Sequence, residues 1–267
     1  MFFNNAKLKF YYTRFDLSSD IPYFFLHGFT GTHKNWISTI KRLKKSAYVI
    51  DLPGHGQSLF LEQNLQYSFD NWCDDFNELL NHLNLNKINL CGYSMGGRLA
   101  ISFANKYSNK INSLILESTS YGLKSAKDRN ERIKYDQLIS ANILNNFNNT
   151  MIKWSEKPLF SSQKIRNKAE WDIQLNQRLT HKKKQLSKSL NVFSLGKMNY
   201  YKKDIRKFKF PLIVINGCED KKFIEIGKDL LSLNSNSKHY IVPESNHNIH
   251  MENTNEFVKI LKKNHYE

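Results

Sequence analysis

Apolar positions along the chain fall into two rhythms. Short continuous runs read as buried strands: Pro22 to Leu26, Ala47 to Ile50, Ile88 to Cys91, Ile111 to Leu116, Pro211 to Ile215 and His239 to Val242. Lys7 to Phe15 instead alternates apolar with charged or polar residues, which predicts a half-exposed edge strand, and Asp16 to Asp20 reads as a turn. Between the runs the spacing becomes helical, as in Trp36-Ile37-Ile40-Leu43, in Trp72-Phe76-Leu79-Leu80-Leu83, from Arg98 to Ala104, from Phe223 to Leu233 and around Phe257 to Leu261. Strand and helix alternate, which predicts a mostly parallel, doubly wound α/β sheet with helices on both faces. Ligands of such sheets bind beyond the carboxyl ends of the strands, and the loops His27-Gly28-Phe29-Thr30-Gly31-Thr32 and Asp51-Leu52-Pro53-Gly54-His55-Gly56-Gln57-Ser58 fall there.

From about Tyr121 to Lys203 the character changes. β-branched runs vanish, polar residues dominate, and the apolar spacing is helical, as in Ile133-Leu138 and Leu186-Leu190-Phe193. A segment of this length is no plain loop. The expected organisation is a core formed by residues 1–120 and 204–267 with a helical lid, 121–203, inserted between the two parts.

Composition narrows the class only modestly. Hydrophobic residues make up 40% of the 267, enough for a core of one large α/β domain. The formal net charge is +16. Apart from Lys182-Lys183-Lys184 and Lys202-Lys203 the positive residues are scattered, and no recognition helix, zinc spacing or RNA-binding signature accompanies them. A solvated Lys-rich surface is the reading, an anionic substrate its useful alternative, and no nucleic-acid partner is expected. Cys73, Cys91 and Cys218 are odd in number and widely spaced, which fits a reducing compartment. With no signal-like N-terminus and no run long enough to span a bilayer, a cytoplasmic protein without stable membrane insertion is expected.

The chemistry gathers on Gly92-Tyr93-Ser94-Met95-Gly96-Gly97-Arg98, between an apolar run and a helix. G-x-S-x-G at that junction builds a nucleophile elbow: the strand reverses into a helix with Ser94 at the tip, and small neighbours at −2 and +2 allow it. The Met95 N–H then supplies half of an oxyanion hole, and the His27-Gly28 loop supplies the other half through the Phe29 N–H. Asp220, after the run ending at Ile215, and His247, after Val242, complete a Ser–Asp–His order that is the order of α/β-hydrolases. In such a triad His takes the Ser proton and Asp fixes the imidazole tautomer. Alternatives stand beside each: Asp220 as a cap of the following helix, His250 as a rival base, His27 as a satisfied core histidine.

Further motifs give a family resemblance. The elbow runs on as Gly96-Gly97-Arg98, the lid opens with Arg129-x-x-Arg132-x-x-x-Asp136, and Trp154-x-x-x-Pro158-x-Phe160, Arg178 and Asp220-x-Lys222-Phe223 follow. Together these resemble the 2-succinyl-6-hydroxy-2,4-cyclohexadiene-1-carboxylate synthases of menaquinone and phylloquinone biosynthesis, from the His27-Gly28 loop to the His247 loop. The resemblance implies an α/β-hydrolase fold and a lyase needing no cofactor or metal. The lyase would eliminate pyruvate from a cyclohexene bearing an enolpyruvyl ether, a succinyl ketone and a ring carboxylate, with Ser94, Asp220 and His247 generating the base. It also implies that Arg98, Arg132 and Arg178 hold the three carboxylates of a small anionic substrate, with Tyr93 and Trp154 as pocket aromatics and Arg129 a further candidate.

Arginine usage supports this. Of the 40 Lys and Arg only 8 are Arg, so an Arg marks a position where a planar fork matters, as in binding a carboxylate through two parallel bonds. Two departures from the pattern bear on pocket shape: Asn246 stands where a Gly usually precedes the triad His, and no Gln-Pro follows Leu190. The rival readings are a serine esterase or C–C bond hydrolase acting through an acyl-enzyme, a catalytically idle binding module, and a basic nucleic-acid scaffold.

Overall fold

The computed structural model describes residues 1–18, 20–62 and 66–265, the side chain of residue 161 excepted. Its elements run β1 (Phe2–Asn4), β2 (Leu8–Phe15), β3 (Tyr23–Leu26), α1 (Ile37–Leu43), β4 (Ala47–Ile50), β5 (Leu59–Phe60), α2 (Phe69–His82), β6 (Ile88–Tyr93), α3 (Met95–Lys106) and β7 (Ile111–Glu117). Six helices follow: α4 (Ala126–Asn145), α5 (Phe147–Ser155), α6 (Ser161–Arg166), α7 (Lys168–Leu179), α8 (Lys183–Val192) and α9 (Lys202–Ile205). The chain returns to the sheet through β8 (Leu212–Gly217), α10 (Lys221–Leu233) and β9 (Ser237–Val242), and ends with α11 (Ile249–Glu252) and α12 (Thr254–Lys263). The turn read at Asp16 to Asp20 includes Ser19, which lies outside the described residues.

The strands join in the order β1-β2-β4-β3-β6-β7-β8-β9, with β5 on β2. From β4 to β9 every pairing is parallel, and β1, β2 and β5 add antiparallel strands at one side. Lys7 to Phe15 is therefore corrected from edge strand to internal strand: β2 alternates buried and half-exposed positions as read, but β1 and β4 flank it. Alternation reports which faces are covered, and says nothing of lateral neighbours.

Side chains from alternate strand positions feed two cores. Phe24, Leu26, Leu90, Leu114 and Val214 pack with Trp72, Phe76, Leu99 and Phe103 of α2 and α3. Tyr23, Phe25, Cys91, Ile115 and Ile213 pack on the other face with Trp36, Ile40, Phe257 and Leu261 from the α1 and α12 side. Full burial of each such side chain stabilises the fold by about 1.5–3 kcal/mol. The doubly wound sheet holds the carboxyl ends of β3, β6, β7 and β8 in one row.

Two segments stand as read, a polar turn and a helix, and the structure adds how each is packed. The Asp51–Ser58 turn is polar yet largely buried, because Asp51 Oδ1 accepts from the His33 N–H and meets His33 Nδ1, each at 2.7 Å, while Oδ2 accepts from Gln57 N at 2.8 Å. In α4 the buried positions are Asp136, Ser140 and Ile143, and Leu138 is 63% exposed. The contact with α8 combines Ile143 packed with Leu186 and Leu190 and a hydroxyl pair, Ser140 Oγ to Ser187 Oγ at 2.6 Å, so the packed face is only partly apolar and Leu138 lies off it. Among the described residues no helix is long and apolar enough to cross a membrane.

Candidate active site

Ser94 follows β6 directly and opens α3 with φ 50° and ψ −107°, a left-handed backbone that a non-Gly residue adopts only when its surroundings hold it. They do: the Ser94 N–H donates to the Glu117 carbonyl at 2.9 Å, and its carbonyl accepts from Thr119 Oγ1 at 2.7 Å. Close approach explains the flanking glycines. A Cβ on Gly92 would lie 2.6 Å from the Gly96 carbonyl oxygen, and one on Gly96 2.3 Å from that of Leu26.

Asp220 begins α10 but makes no side-chain cap; its Oδ2 lies 2.7 Å from His247 Nδ1. His247 Nε2 in turn lies 3.2 Å from Ser94 Oγ. Strand ends 27 and 153 residues apart thus meet in one hydrogen-bonded line. The Asp and His of that line are buried, and the rings of Phe223 (4.7 Å) and Tyr93 (5.5 Å) wall the imidazole. Asn246 does not have positive φ, so the position ahead of His247 requires no glycine. His250 turns away from the triad: its N–H and Nδ1 both meet the Glu117 carboxylate, at 2.9 and 2.7 Å, and its ring stacks on Trp36 at 3.9 Å.

Met95 is the first residue of α3, and Phe29 lies in the loop after β3. In the described hydrogen bonds neither N–H donates to a protein acceptor. His27 is a satisfied core histidine: Nε2 accepts from the Leu52 N–H at 2.9 Å and Nδ1 lies 2.7 Å from the Gly28 carbonyl. Burial pushes its pKa down to about 4, so it stays neutral and ties the loop after β3 to the loop after β4.

A cavity of about 40 Å³ opens at Ser94, lined by Gly28, Phe29, Thr30, Tyr93, Trp154, Phe160, Gln174, Arg178, Asn248 and His250 among others. Arg178, 5% exposed, donates to Thr30 Oγ1 (3.1 Å), Ser155 Oγ (2.7 Å) and Gln174 Oε1 (3.1 Å). Among the described residues no carboxylate pairs with it, and burial lowers its pKa to about 10. Four further buried atoms on the lining residues lack a protein partner: Tyr93 Oη, Trp154 Nε1, Asn248 Oδ1 and His250 Nε2. Each such atom costs about 1–3 kcal/mol unless a ligand or water meets it, so the cavity offers unmet polar groups beside a cation that no described carboxylate pairs.

The other arginines lie elsewhere. Arg98, buried in α3, donates to the Phe193 carbonyl at 2.9 Å; burial, and then the nearby Arg132, lower its pKa to about 9. Arg132 Nε reaches both Asp136 oxygens at 2.9 Å, and Arg129 Nε lies 3.3 Å from the Gly196 carbonyl. The structure thus brings Ser94, His247 and Asp220 together, sets Phe29, Tyr93, Trp154 and Arg178 around one cavity, and leaves Arg98, Arg132 and Arg129 outside its lining. Sequence reasoning missed Thr30, Phe160, Gln174 and Asn248 as lining residues. The i,i+4 spacing of Gln174 to Arg178 on one helix face was a usable signal for one of them.

The positive charge is also less scattered than it reads along the chain. Residues 121–203 hold 18 Lys and Arg against 6 Asp and Glu, a net +12 of the total +16.

An elbow serine, a histidine and an aspartate at the carboxyl edge of a doubly wound sheet define an α/β-hydrolase, and residues 22–254 match the family model described as the alpha/beta hydrolase fold. Within that class the likeness is narrower. A putative 2-succinyl-6-hydroxy-2,4-cyclohexadiene-1-carboxylate synthase of Bacillus subtilis is 34% identical over 239 residues, 88% of this chain and 87% of that protein. The synthase of Serratia proteamaculans is 26% identical, over 89% of this chain and 90% of its own. The structure of MenH from S. aureus superposes with a TM-score of 0.89 at 28% identity, covering 94% of this chain and 98% of that one. The chain belongs to the 2-succinyl-6-hydroxy-2,4-cyclohexadiene-1-carboxylate synthase family. A carboxylesterase of Nitrososphaera gargenis, with TM-score 0.82 but 18% identity, shares the fold.

Proposed function

We propose that this protein is a carbon–oxygen lyase that eliminates pyruvate from 2-succinyl-5-enolpyruvyl-6-hydroxy-3-cyclohexene-1-carboxylate, giving 2-succinyl-6-hydroxy-2,4-cyclohexadiene-1-carboxylate on the route to menaquinone or phylloquinone, in the cytoplasm. The observation that carries the reading is the buried Arg178, unpaired by any described carboxylate, on the same cavity as a hydrogen-bonded Ser94–His247–Asp220 line. A neutral ester gives such a cation nothing to bind; a polycarboxylate does.

His247 Nε2 takes the Ser94 proton, and the resulting alkoxide removes the ring proton α to the succinyl ketone. The C–H electron pair forms the enolate, whose oxygen the Phe29 and Met95 N–H groups stabilise. As the ketone re-forms, the pair moves through the ring alkene and breaks the C–O bond, leaving the 2,4-diene. The departing enolpyruvate takes up a proton and becomes pyruvate. Asp220 keeps the imidazole Nδ1–H oriented and offsets its charge. Each oxyanion donor is worth about 10²–10³-fold in rate.

Residues 121–203 serve as the lid, since α5 and α7 carry Trp154 and Arg178 to the cavity. Arg98 and Arg132 form a second cationic focus for the remaining carboxylates. To bind one, Arg132 releases Asp136. Arg129, on the same helix, is a further candidate of the set. The test is incubation with the enolpyruvyl cyclohexene while following pyruvate and the diene absorbance. Release in the wild type and its loss in Ser94→Ala support the reading; rapid hydrolysis of neutral esters without pyruvate release would replace it with the acyl-enzyme esterase.

A further inference from the structure

Thr30 follows Phe29 in the loop after β3 and has φ 66°, a left-handed backbone that is an outlier for a β-branched residue. It is 2% exposed, and three side chains from distant parts of the chain hold it. Its N–H donates to His55 Nε2 at 3.2 Å, its carbonyl lies 3.0 Å from His181 Nε2, and its Oγ1 accepts from Arg178 Nε at 3.1 Å. Two of the three come from α7 and the turn just after it.

The hydrogen bonds assign both tautomers. His181 Nδ1 accepts from the Gly56 N–H at 3.1 Å, so its proton sits on Nε2 and is donated to the Thr30 carbonyl. His55 accepts at Nε2, so its proton sits on Nδ1, facing the Pro53 carbonyl at 3.3 Å. The two rings meet edge to face at 5.4 Å. Neither imidazole touches the triad, and the mechanism above uses neither.

We propose that His181 is a positioning residue: by docking the α7–α8 turn on Thr30, it holds the neighbouring Phe29 peptide in the orientation that serves the oxyanion hole, so that the hole is complete only when the helical segment is closed. This rests on the reading of the Phe29 N–H as an oxyanion donor. The physical reason is strain. Left to itself Thr30 relaxes toward the β region, rotating the peptides on either side, and the polar groups that oppose this sit on a different part of the fold. Closure of the segment over a ligand at Arg178 and assembly of the hole are then one event, because Arg178 and His181 lie three residues apart and grip the same threonine.

The test compares two amides at position 181. Glutamine places its N–H at the reach of Nε2 and can keep the Thr30 bond; asparagine places its polar atoms at the reach of Nδ1 and can keep only the Gly56 bond. Pyruvate release and hydrolysis of 4-nitrophenyl acetate are measured for the wild type, His181→Gln, His181→Asn and His181→Ala, with thermal unfolding as a check on folding. The expected result is a kcat loss of about 10-fold or more in the Asn and Ala variants, with KM within threefold, and rescue to within about threefold by Gln, in both reactions. Amide hydrogen exchange at Thr30 should follow the same order without any turnover: fast in Asn and Ala, slow in Gln and wild type. Asn and Gln variants alike in kcat and exchange, or a change carried by KM alone, would overturn the proposal. If the wild type releases no pyruvate while ester hydrolysis and exchange keep this order, the lyase reading fails and the role of His181 stands.

Discussion

His250 Nδ1 lies 2.7 Å from Glu117 Oε2, and this pair, three residues from the triad histidine, is tied to β7 and has no bond to Ser94. Glu117 also receives the Ser94 N–H on its carbonyl, so one residue braces the elbow by its backbone and the neighbouring loop by its carboxylate. On the proposed reading the two histidines of the Ser245–His250 loop therefore divide the work, one in chemistry and one in architecture.

That division is measurable. Ser94→Ala, His247→Ala and Asp220→Asn should each lower kcat about 10²–10⁴-fold with little change in melting temperature, and combining them should add little. His250→Ala should do the opposite, lowering thermal stability by removing the ring's hydrogen bond to the buried Glu117 carboxylate, worth about 1.5–3 kcal/mol, and its stacking on Trp36. A stable His250→Ala protein with no activity would move the base to His250.

Arg178→Ala should cut kcat/KM for pyruvate release by about 10²-fold or more, since removing one partner of a desolvated charge pair costs roughly 2–5 kcal/mol. Arg178→Lys should recover only part of it, because the ammonium cannot reach Thr30, Ser155 and Gln174 together as the fork does. Arg98→Ala and Arg132→Ala are expected to lose a similar amount. Steady-state kinetics on the three alanine variants decides this, and near-normal kcat/KM in all three would contradict carboxylate binding by these arginines.

The +12 carried by residues 121–203 should steer a trianion toward the cavity. Raising ionic strength from about 10 mM to 150 mM shortens the screening length from roughly 30 to 8 Å. We expect kcat/KM to fall with salt while kcat holds. Lys182→Glu/Lys183→Glu/Lys184→Glu, at the exposed start of α8, should flatten that dependence. A salt-independent kcat/KM would remove steering from the account.

Buried neutral histidines make the fold acid-sensitive. Burial lowers the folded-state pKa of His27, His55 and His181, so below about pH 6.5 the unfolded chain binds protons that the folded one refuses. Stability should be full above pH 6.5 and fall as pH drops toward 4, the folded value for His27. Melting temperature against pH checks the slope, and His181→Gln should make it shallower by about one proton.

Much of the sheet was legible because buried parallel strands are short apolar runs that need no partner to be recognised, as at β3, β4, β7 and β8. β1 and β5, at three and two residues, carry too little pattern to stand out, and without them β2 looked like an edge. The triad could be read because each member follows a strand and the order is diagnostic. Thr30, His55 and His181 could not: each is an ordinary polar residue locally, and only tertiary packing brings positions 30, 55 and 181 into contact. Arg98, Arg132 and Arg178 illustrate the same limit, since arginine scarcity flagged all three and the fold set only the last against the cavity.

The 40 Å³ at Ser94 holds at most a few water molecules, against the roughly 300–1,000 Å³ of ordinary ligand pockets. In this shape the space beside Ser94 is too small for a substituted cyclohexene ring. Each catalytic cycle then contains two passages through a wider form, one inbound and one outbound. On the proposed lid reading we expect the opening of α5 and α7 to cap turnover, so added viscogen should slow it even where the chemistry is untouched.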